Sequence, residues 1–264
     1  MRRNRSAGPH ADRPRNSAKE AARRIKIAEL AVARKISLKE AARLLTAQAS
    51  AITSNEYRKI DETVKRARLE KVDLRHLHLE KQGLRGLAIA ESFTETSKKS
   101  VLAGIVISTE MVIDGFVFDH STVGGDDATE VILSMYERLD RPDVSFLLIS
   151  GIVISLYNIV DVKKISEKIG LPVIGVTYED SSGIEDAIKH HFPKSYESKL
   201  SKYSHLEPRK KITLKTSYDL YIRNEGCTLL EAKQLIDKIT LQGSVPEPLR
   251  ISQILAKTLL KAKF

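Results

Sequence analysis

After Leu79 the hydrophobic pattern of this chain changes its period, and that change constrains the fold more than any other feature. Before it, apolar residues recur at helical spacing; after it they fall into short runs bounded by turn residues. Leu84–Ala90 is one such run, preceded by a glycine, and it reads as a buried strand that ends in Glu91-Ser92-Phe93. A polar Thr, Ser and Lys segment follows and reads as a loop. Val101–Ile107 and Met111–Phe118 are β-rich runs joined by Ser108-Thr109-Glu110, which predicts a hairpin. Behind Val123–Glu130, the residues Val131, Ile132, Met135, Tyr136 and Leu139 give the next stretch an amphipathic helical face through Arg138. Ser145–Ile149 is a further buried strand, introduced by Arg141-Pro142-Asp143 and closed by Ser150-Gly151.

A loop and helix then run through Asp161 to Ile169, and Gly170-Leu171-Pro172 stops the helix before the strand Val173–Thr177. A short helix is expected around Ile184–His191, residues 193–211 read as loop, and Ile212–Asn224 carries both strand and helix character. Thr228-Leu229-Leu230-Glu231 is a capping box that opens a helix to about Thr240, and Pro246-Glu247-Pro248-Leu249-Arg250 starts the last one. A strand, a hairpin, then alternating helices and strands predict an α/β domain, a mixed sheet with helices on both faces.

Upstream the reading is different. Residues 1–17 are rich in Arg, Asn, Pro and Ser and are expected to be a disordered basic tail. Residues 18–80 read as a basic helical extension, with Ile25, Ile27, Leu30 and Ile36 among Lys and Arg, a capping box at Ser37-Leu38-Lys39-Glu40, and a further helix from about Glu56 to Arg68. The arrangement is reminiscent of a helix-turn-helix, without spacing that is diagnostic of one. The net charge of +10 lies wholly in residues 1–80, which hold 20 Lys+Arg against 10 Asp+Glu; the remainder holds 24 of each. A basic appendage on a neutral domain points to an anionic polymer, nucleic acid first; the plainer alternative is a solvated basic tail. No apolar run is long enough for a membrane span, and the Arg-rich start lacks the apolar segment of a secretory signal. One cysteine, Cys227, excludes internal disulfides and multi-cysteine zinc sites. Together these predict a cytoplasmic setting.

The candidate site centres on Val123-Gly124-Gly125-Asp126-Asp127-Ala128-Thr129-Glu130. Three carboxylates crowd the first turn of a helix behind a Gly-Gly turn, where they repel one another. One of them would serve as a cap or dipole partner; the set points to a cation. Plainer roles are open for the other polar groups: Asp161 as a helix N-terminal charge, Glu247 as an ion-pair partner of Arg250 one turn away, Asn158 as a turn residue, Cys227 as a structural thiol. His190, His191 and His205 stand in polar surroundings and are not expected to ligate.

Several blocks resemble one family: Gly86–Phe93, Ser100–Gly115, Val123–Glu130, Gly151–Asp161, Gly170–Thr177 and Pro246–Arg250. Over residues 84–264 the chain resembles the archaeal endonuclease dU family, relatives of endonuclease V with a ribonuclease H-like fold. The resemblance implies an endonuclease that cuts DNA containing deaminated bases, near deoxyuridine, with Mg²⁺ or Mn²⁺ held by carboxylates. It also implies the site: Glu91, where relatives of the fold place an aspartate, with Asp126 and Asp127 as metal ligands, and Glu130, Asp161 and Glu247 as further members. The departure is at the end of the central strand, where endonuclease V carries an aspartate and this chain has Ser150; Asn158 and Asp161 follow closely enough to substitute. DNA is the implied partner, RNA is open, and no feature specifies a protein partner. The alternative is a non-catalytic nucleic-acid-binding or scaffolding protein that kept the fold.

Overall fold

Two-sided burial organises the sheet. In β1 (Arg85–Ser92) the run from Gly86 to Ala90 is closed to solvent, and in β4 (Val144–Ser150) the same holds from Phe146 to Ile149. Strands with this continuous apolar character need a helix layer on each face. The structure, a computed structural model, describes residues 73–94, 96–180 and 183–262. The basic tail, the capping box at Ser37 and the helix expected near Glu56 lie outside the described residues.

β1 pairs antiparallel with β2 (Lys99–Ser108), which pairs antiparallel with β3 (Ile113–Thr122), so the expected hairpin is present. On the other side β1 runs parallel to β4, and β4 parallel to β7 (Val173–Thr177). An antiparallel hairpin of β8 (Lys210–Thr213) and β9 (Asp219–Glu225) completes a seven-stranded sheet in the order β3-β2-β1-β4-β7-β9-β8. Two short strands, β5 (Val153–Ile154) and β6 (Asn158–Ile159), form a separate small hairpin.

Alternate side chains feed two cores. Leu87, Ile89, Leu147 and Ile149 pack with Ile132 and Met135 of α1 (Ala128–Leu139) and Ile165 of α2 (Val162–Ile169). Ala88, Phe146, Leu148 and Ile174 face the other way, onto Leu235 and Ile236 of α5 (Leu229–Ile239) and Leu249 of α6 (Glu247–Lys261). The capping box forms as expected, with both Thr228 and Glu231 engaged. In the chain, α3 (Glu185–His191) and α4 (Tyr196–Ser204) follow β7. Among the described residues no helix is long and apolar enough to cross a membrane.

One expectation is corrected and two are narrowed. Residues 193–211 are not a loop, because α4 spans Tyr196–Ser204 and β8 begins at Lys210. Its buried residue is Lys199, held by polar contacts, so an apolar period does not announce it. Ile212–Asn224 is no helix; it lies within the β8–β9 hairpin, turned through Ser217 at φ 67°. The polar segment after Phe93 is short, since β2 already starts at Lys99.

Gly86 is needed where it stands. Opposite Phe146 in the parallel register, a Cβ at Gly86 would lie 2.1 Å from the ring of Phe146. Gly86→Ala is therefore expected to lower the unfolding free energy by about 1–3 kcal/mol, the range for overpacking a core. Phe146→Leu in the same chain should recover part of that loss. Denaturant unfolding of the two variants checks it, and a Gly86→Ala protein as stable as wild type would refute the packing argument.

Candidate active site

Glu91 stands near the C-terminal end of β1, beyond the last fully buried position of the strand. Its carboxylate is fixed by one residue: Oε1 accepts from the Ser155 amide at 2.8 Å and Oε2 from the Ser155 hydroxyl at 2.5 Å. Ser155 is itself buried, and its Oγ meets Ser100 Oγ at 2.6 Å and Ser121 Oγ at 3.1 Å, with 2.7 Å between those two. Three hydroxyls beneath Glu91 thus form a closed polar cluster inside the sheet layer.

The turn that carries Ser155 is strained. Ser155, Leu156 and Tyr157 have φ of 45°, 57° and 60°, left-handed backbone at three consecutive non-glycine residues. Each costs about 1–2 kcal/mol, so surrounding contacts must impose the shape. Gly124 donates its amide to the Ser155 carbonyl at 2.7 Å, and Lys199 Nζ donates to the Tyr157 carbonyl at 3.1 Å.

Glu91 lines a cleft of about 410 Å³ together with Phe93, Thr177, Tyr203, Arg209 and Arg223. A recess of about 300 Å³ on its other side is lined by Ser150, Gln253 and Lys257. Among the described residues, Glu91 is the only acidic one lining either. Across the cleft, Arg223 on β9 is 8% exposed, donates Nε to the Glu207 carbonyl, and lies 5.9 Å from the Tyr203 ring centroid. Burial pulls its pKa below the ordinary value, the sign of a charge that is costly where it sits. Neighbouring Arg209 pairs with Asp180 at 3.8 Å and lies over Tyr221.

The other predicted acids stand elsewhere. Asp127 occupies the N-cap position of α1 but makes no side-chain cap bond. Its carboxylate turns back to accept from the Thr122 amide at 3.0 and 3.1 Å, from Thr122 Oγ1 at 2.7 Å and from Asn158 Nδ2 at 2.7 Å. Burial pushes its pKa up, but the bonds from Thr122 and Asn158 outweigh burial and hold the carboxyl below its ordinary value. Asn158, fully buried, does the capping: its Oδ1 accepts the Ala128 amide at 3.1 Å while Nδ2 also reaches the Thr122 carbonyl at 3.0 Å.

Asp126 pairs with Lys202 at 3.0 Å and Lys199 at 3.4 Å, and it opens onto a separate cavity of about 560 Å³ that Glu130 and Asp161 also line. Glu130 pairs with Lys164 at 2.5 Å, and Asp161 caps α2 by accepting the Lys164 amide at 2.9 Å. Glu247 pairs with Arg250 at the start of α6. The expected ligand set of Glu91, Asp126 and Asp127 is therefore not brought together. Among the described residues, no three His, Cys, Asp or Glu side chains are placed to share an ion. The crowding at Val123–Glu130 is met by lysines, amides and a hydroxyl.

These donors fit a divalent ion only in a reduced form. Each Glu91 oxygen receives one donor, and a carboxylate has about four acceptor positions, so capacity remains. Mg²⁺ or Mn²⁺ held through one carboxylate and completed by substrate oxygens is compatible with that. Sequence reasoning missed Ser155, Lys199 and Arg223. Arg223 had a signal, since it alternates with the apolar Leu220 and Ile222 once that stretch is read as a strand.

Residues 82–260 match the family described as endonuclease dU. A UPF0215 protein of Pyrobaculum calidifontis is 36% identical over 171 residues, which cover 64% of this chain and 93% of the relative. One from Methanothermobacter thermautotrophicus is 31% identical over 182 residues, covering 67% and 87%. A crystal structure of a protein of unknown function from Archaeoglobus fulgidus superposes with a TM-score of 0.58 at 25% identity, covering 67% of this chain and 98% of that one. Human endonuclease V gives a TM-score of 0.51 at 14% identity, covering 77% and 97%. A Ciona intestinalis endonuclease V, solved with DNA containing an inosine followed by a ribo-adenosine, gives 0.50 at 14%, covering 80% and 100%. These likenesses establish the fold as ribonuclease H-like.

If Asp127 is a clamp, Asp127→Ala should lower stability at pH 7 by about 1–3 kcal/mol, because the Thr122 amide and the Asn158 amide group lose their acceptor. The folded carboxyl titrates below its ordinary value of 3.8, so its ionised stabilisation is present above that value and lost as pH falls through the folded one. Urea unfolding of wild type and variant at pH 7 and near pH 3 should show the gap narrowing in acid. Equal stability at pH 7 would disprove the clamp.

Proposed function

The chain belongs to the endonuclease dU family, and on that premise we propose that it is a nuclease that cuts DNA beside a deaminated base, deoxyuridine, in the cleft around Glu91. The observation that carries this reading is the placement of a fixed carboxylate near the end of β1, facing a cleft that a buried guanidinium also lines. In open α/β sheets ligands bind beyond the carboxyl ends of the parallel strands, and β1, β4 and β7 all end at this cleft.

Hydrolysis of a phosphodiester needs an attacking water held in line and charge that offsets the departing oxygen. Glu91 supplies the acceptor for that water. The two bonds from Ser155 fix the rotation of its carboxylate, and the strained turn with its serine cluster removes the freedom to swing away. A divalent ion held by Glu91 and by substrate oxygens would activate water and stabilise the leaving oxygen. Phe93, Tyr157 and Tyr203 line the same cleft and offer aromatic surfaces to a base taken out of the stack. The DNA-bound Ciona intestinalis endonuclease V supports a deaminated-base substrate class. Nothing in the cleft identifies a reader of the 2′-hydroxyl, so RNA belongs in the substrate panel.

A second reading has its own support: Ser150 stands at the end of β4, and the acids Asp126, Asp127, Glu130, Asp161 and Glu247 are engaged by protein donors away from Glu91. On that reading the protein binds nucleic acid without cutting it.

Uracil-containing and normal duplexes, and the matching RNA, incubated with Mg²⁺ or with chelator, separate the two. A uracil-dependent, metal-dependent nick that Glu91→Gln slows at least about 100-fold, with DNA binding kept, is expected. Absent or equal nicking in every condition would overturn the nuclease reading, and binding that survives without metal would then support the second.

A further inference from the structure

The cleft contains a buried charge that meets no carboxylate among the described residues. Arg223 is more than nine-tenths buried, on a strand whose Leu220 and Ile222 face the core on the opposite side of the sheet. A guanidinium taken out of water ordinarily meets a carboxylate, and an uncompensated one costs several kcal/mol. Other arginines of this chain follow the rule while much more exposed. Arg141 meets Asp143 at 2.7 Å and Asp114 at 3.1 Å, and Arg85 meets Asp114 at 2.6 Å. Arg223 has no carboxylate within 4.0 Å among the described residues. Glu207 approaches it, yet offers its backbone carbonyl. The Tyr203 side chain hydrogen-bonds the guanidinium and offsets part of the burial cost, while the neighbouring cation, Arg209, is of the same sign.

What surrounds Arg223 fixes it in place. The Glu207 carbonyl takes Nε, and Tyr203 both hydrogen-bonds the guanidinium and sets its ring centroid 5.9 Å away, which leaves the rest of the fork for a ligand. A planar fork held this way suits two oxygens of one phosphate. Arg223 also lines the same cleft as Glu91. A phosphodiester brought beside Glu91 meets a like charge, and that repulsion needs a cation on the far wall.

We infer that Arg223 is the phosphate anchor of this cleft, holding a phosphodiester of the nucleic-acid strand opposite Glu91. The inference rests on the nuclease reading for the identity of the strand, and it predicts a conflict between stability and binding at one residue. Arg223→Met removes a charge that the free protein does not compensate. Its thermal midpoint without ligand should be unchanged or higher.

Binding should weaken by about 10- to 100-fold, the loss of a charge-assisted hydrogen-bond pair. The slope of log affinity against log salt should become shallower by about 0.7–0.9, one phosphate contact. Arg223→Lys should restore the slope without the full affinity, since a point charge replaces a fork.

The test uses the full chain, fluorescence anisotropy with uracil-containing single- and double-stranded oligonucleotides over a salt series, and thermal unfolding of each variant. Binding and slope in Arg223→Met that equal a wild type able to bind would overturn the anchor and leave the nuclease reading intact. A lowered midpoint or failed folding in Arg223→Met marks a structural role and overturns it as well. Wild-type protein that binds none of the oligonucleotides would defeat the nuclease reading and the anchor together.

Discussion

Everything in this molecule follows from β1 and β4 being closed to solvent on both sides. With a helix layer against each face, neither strand has a place for a polar side chain along its length, and alternate residues are committed to one core or the other. Polar chemistry is pushed to the strand ends. Glu91 and Ser150 are the residues at those ends, and each is half-buried where its strand leaves the core. The site sits at the carboxyl ends of these strands, where the core stops, and the charge of Arg85 takes the opposite end of β1.

The acidic turn shows how lysines and backbone amides offset repulsion among neighbouring carboxylates. Asp126 takes two lysines, Glu130 takes Lys164, and Asp127 spends its carboxylate on the end of β3. That last role belongs to a wider pattern. β3 is an edge strand, and edges invite pairing with other chains. Arg138 donates to the Phe118 carbonyl, Arg141 to the Asp114 carbonyl, and Asn158 with Asp127 takes the groups of Thr122. Side chains from α1 and the loop after it cover the edge that no strand covers.

Elements that bury apolar side chains at a regular period were legible in the sequence. Val173–Thr177, the β2–β3 hairpin, α1 and the capped α5 all appear as expected, and so does the mixed sheet between helix layers. What escaped is held by polar contacts between residues far apart in the chain. α4 packs through Lys199, whose ammonium reaches Gly125 and Tyr157 across 74 and 42 residues. Asn158 reads as a turn residue and is a buried clamp, since its side chain bonds three groups, the Thr122 carbonyl on β3, the Asp127 carboxylate and the Ala128 amide that opens α1. Asp126 and Asp127 are adjacent in sequence and point to different neighbours, so spacing alone could not separate an ion site from two unrelated structural bonds.

Lys199 deserves its last word for what it ties together. One ammonium holds the carbonyl of Gly125, in the turn before α1, and the carbonyl of Tyr157, at the tip of the strained turn that orients Glu91. Gly124 and Ser155 join the same two turns through a backbone bond. Two loops more than 30 residues apart in sequence are thereby a single mechanical part, fastened from a helix of modest apolar content. Their amides will open to solvent exchange as one cooperative unit. The cleft around Glu91 then takes its rigidity in part from α4, the same helix that places Tyr203 in its wall.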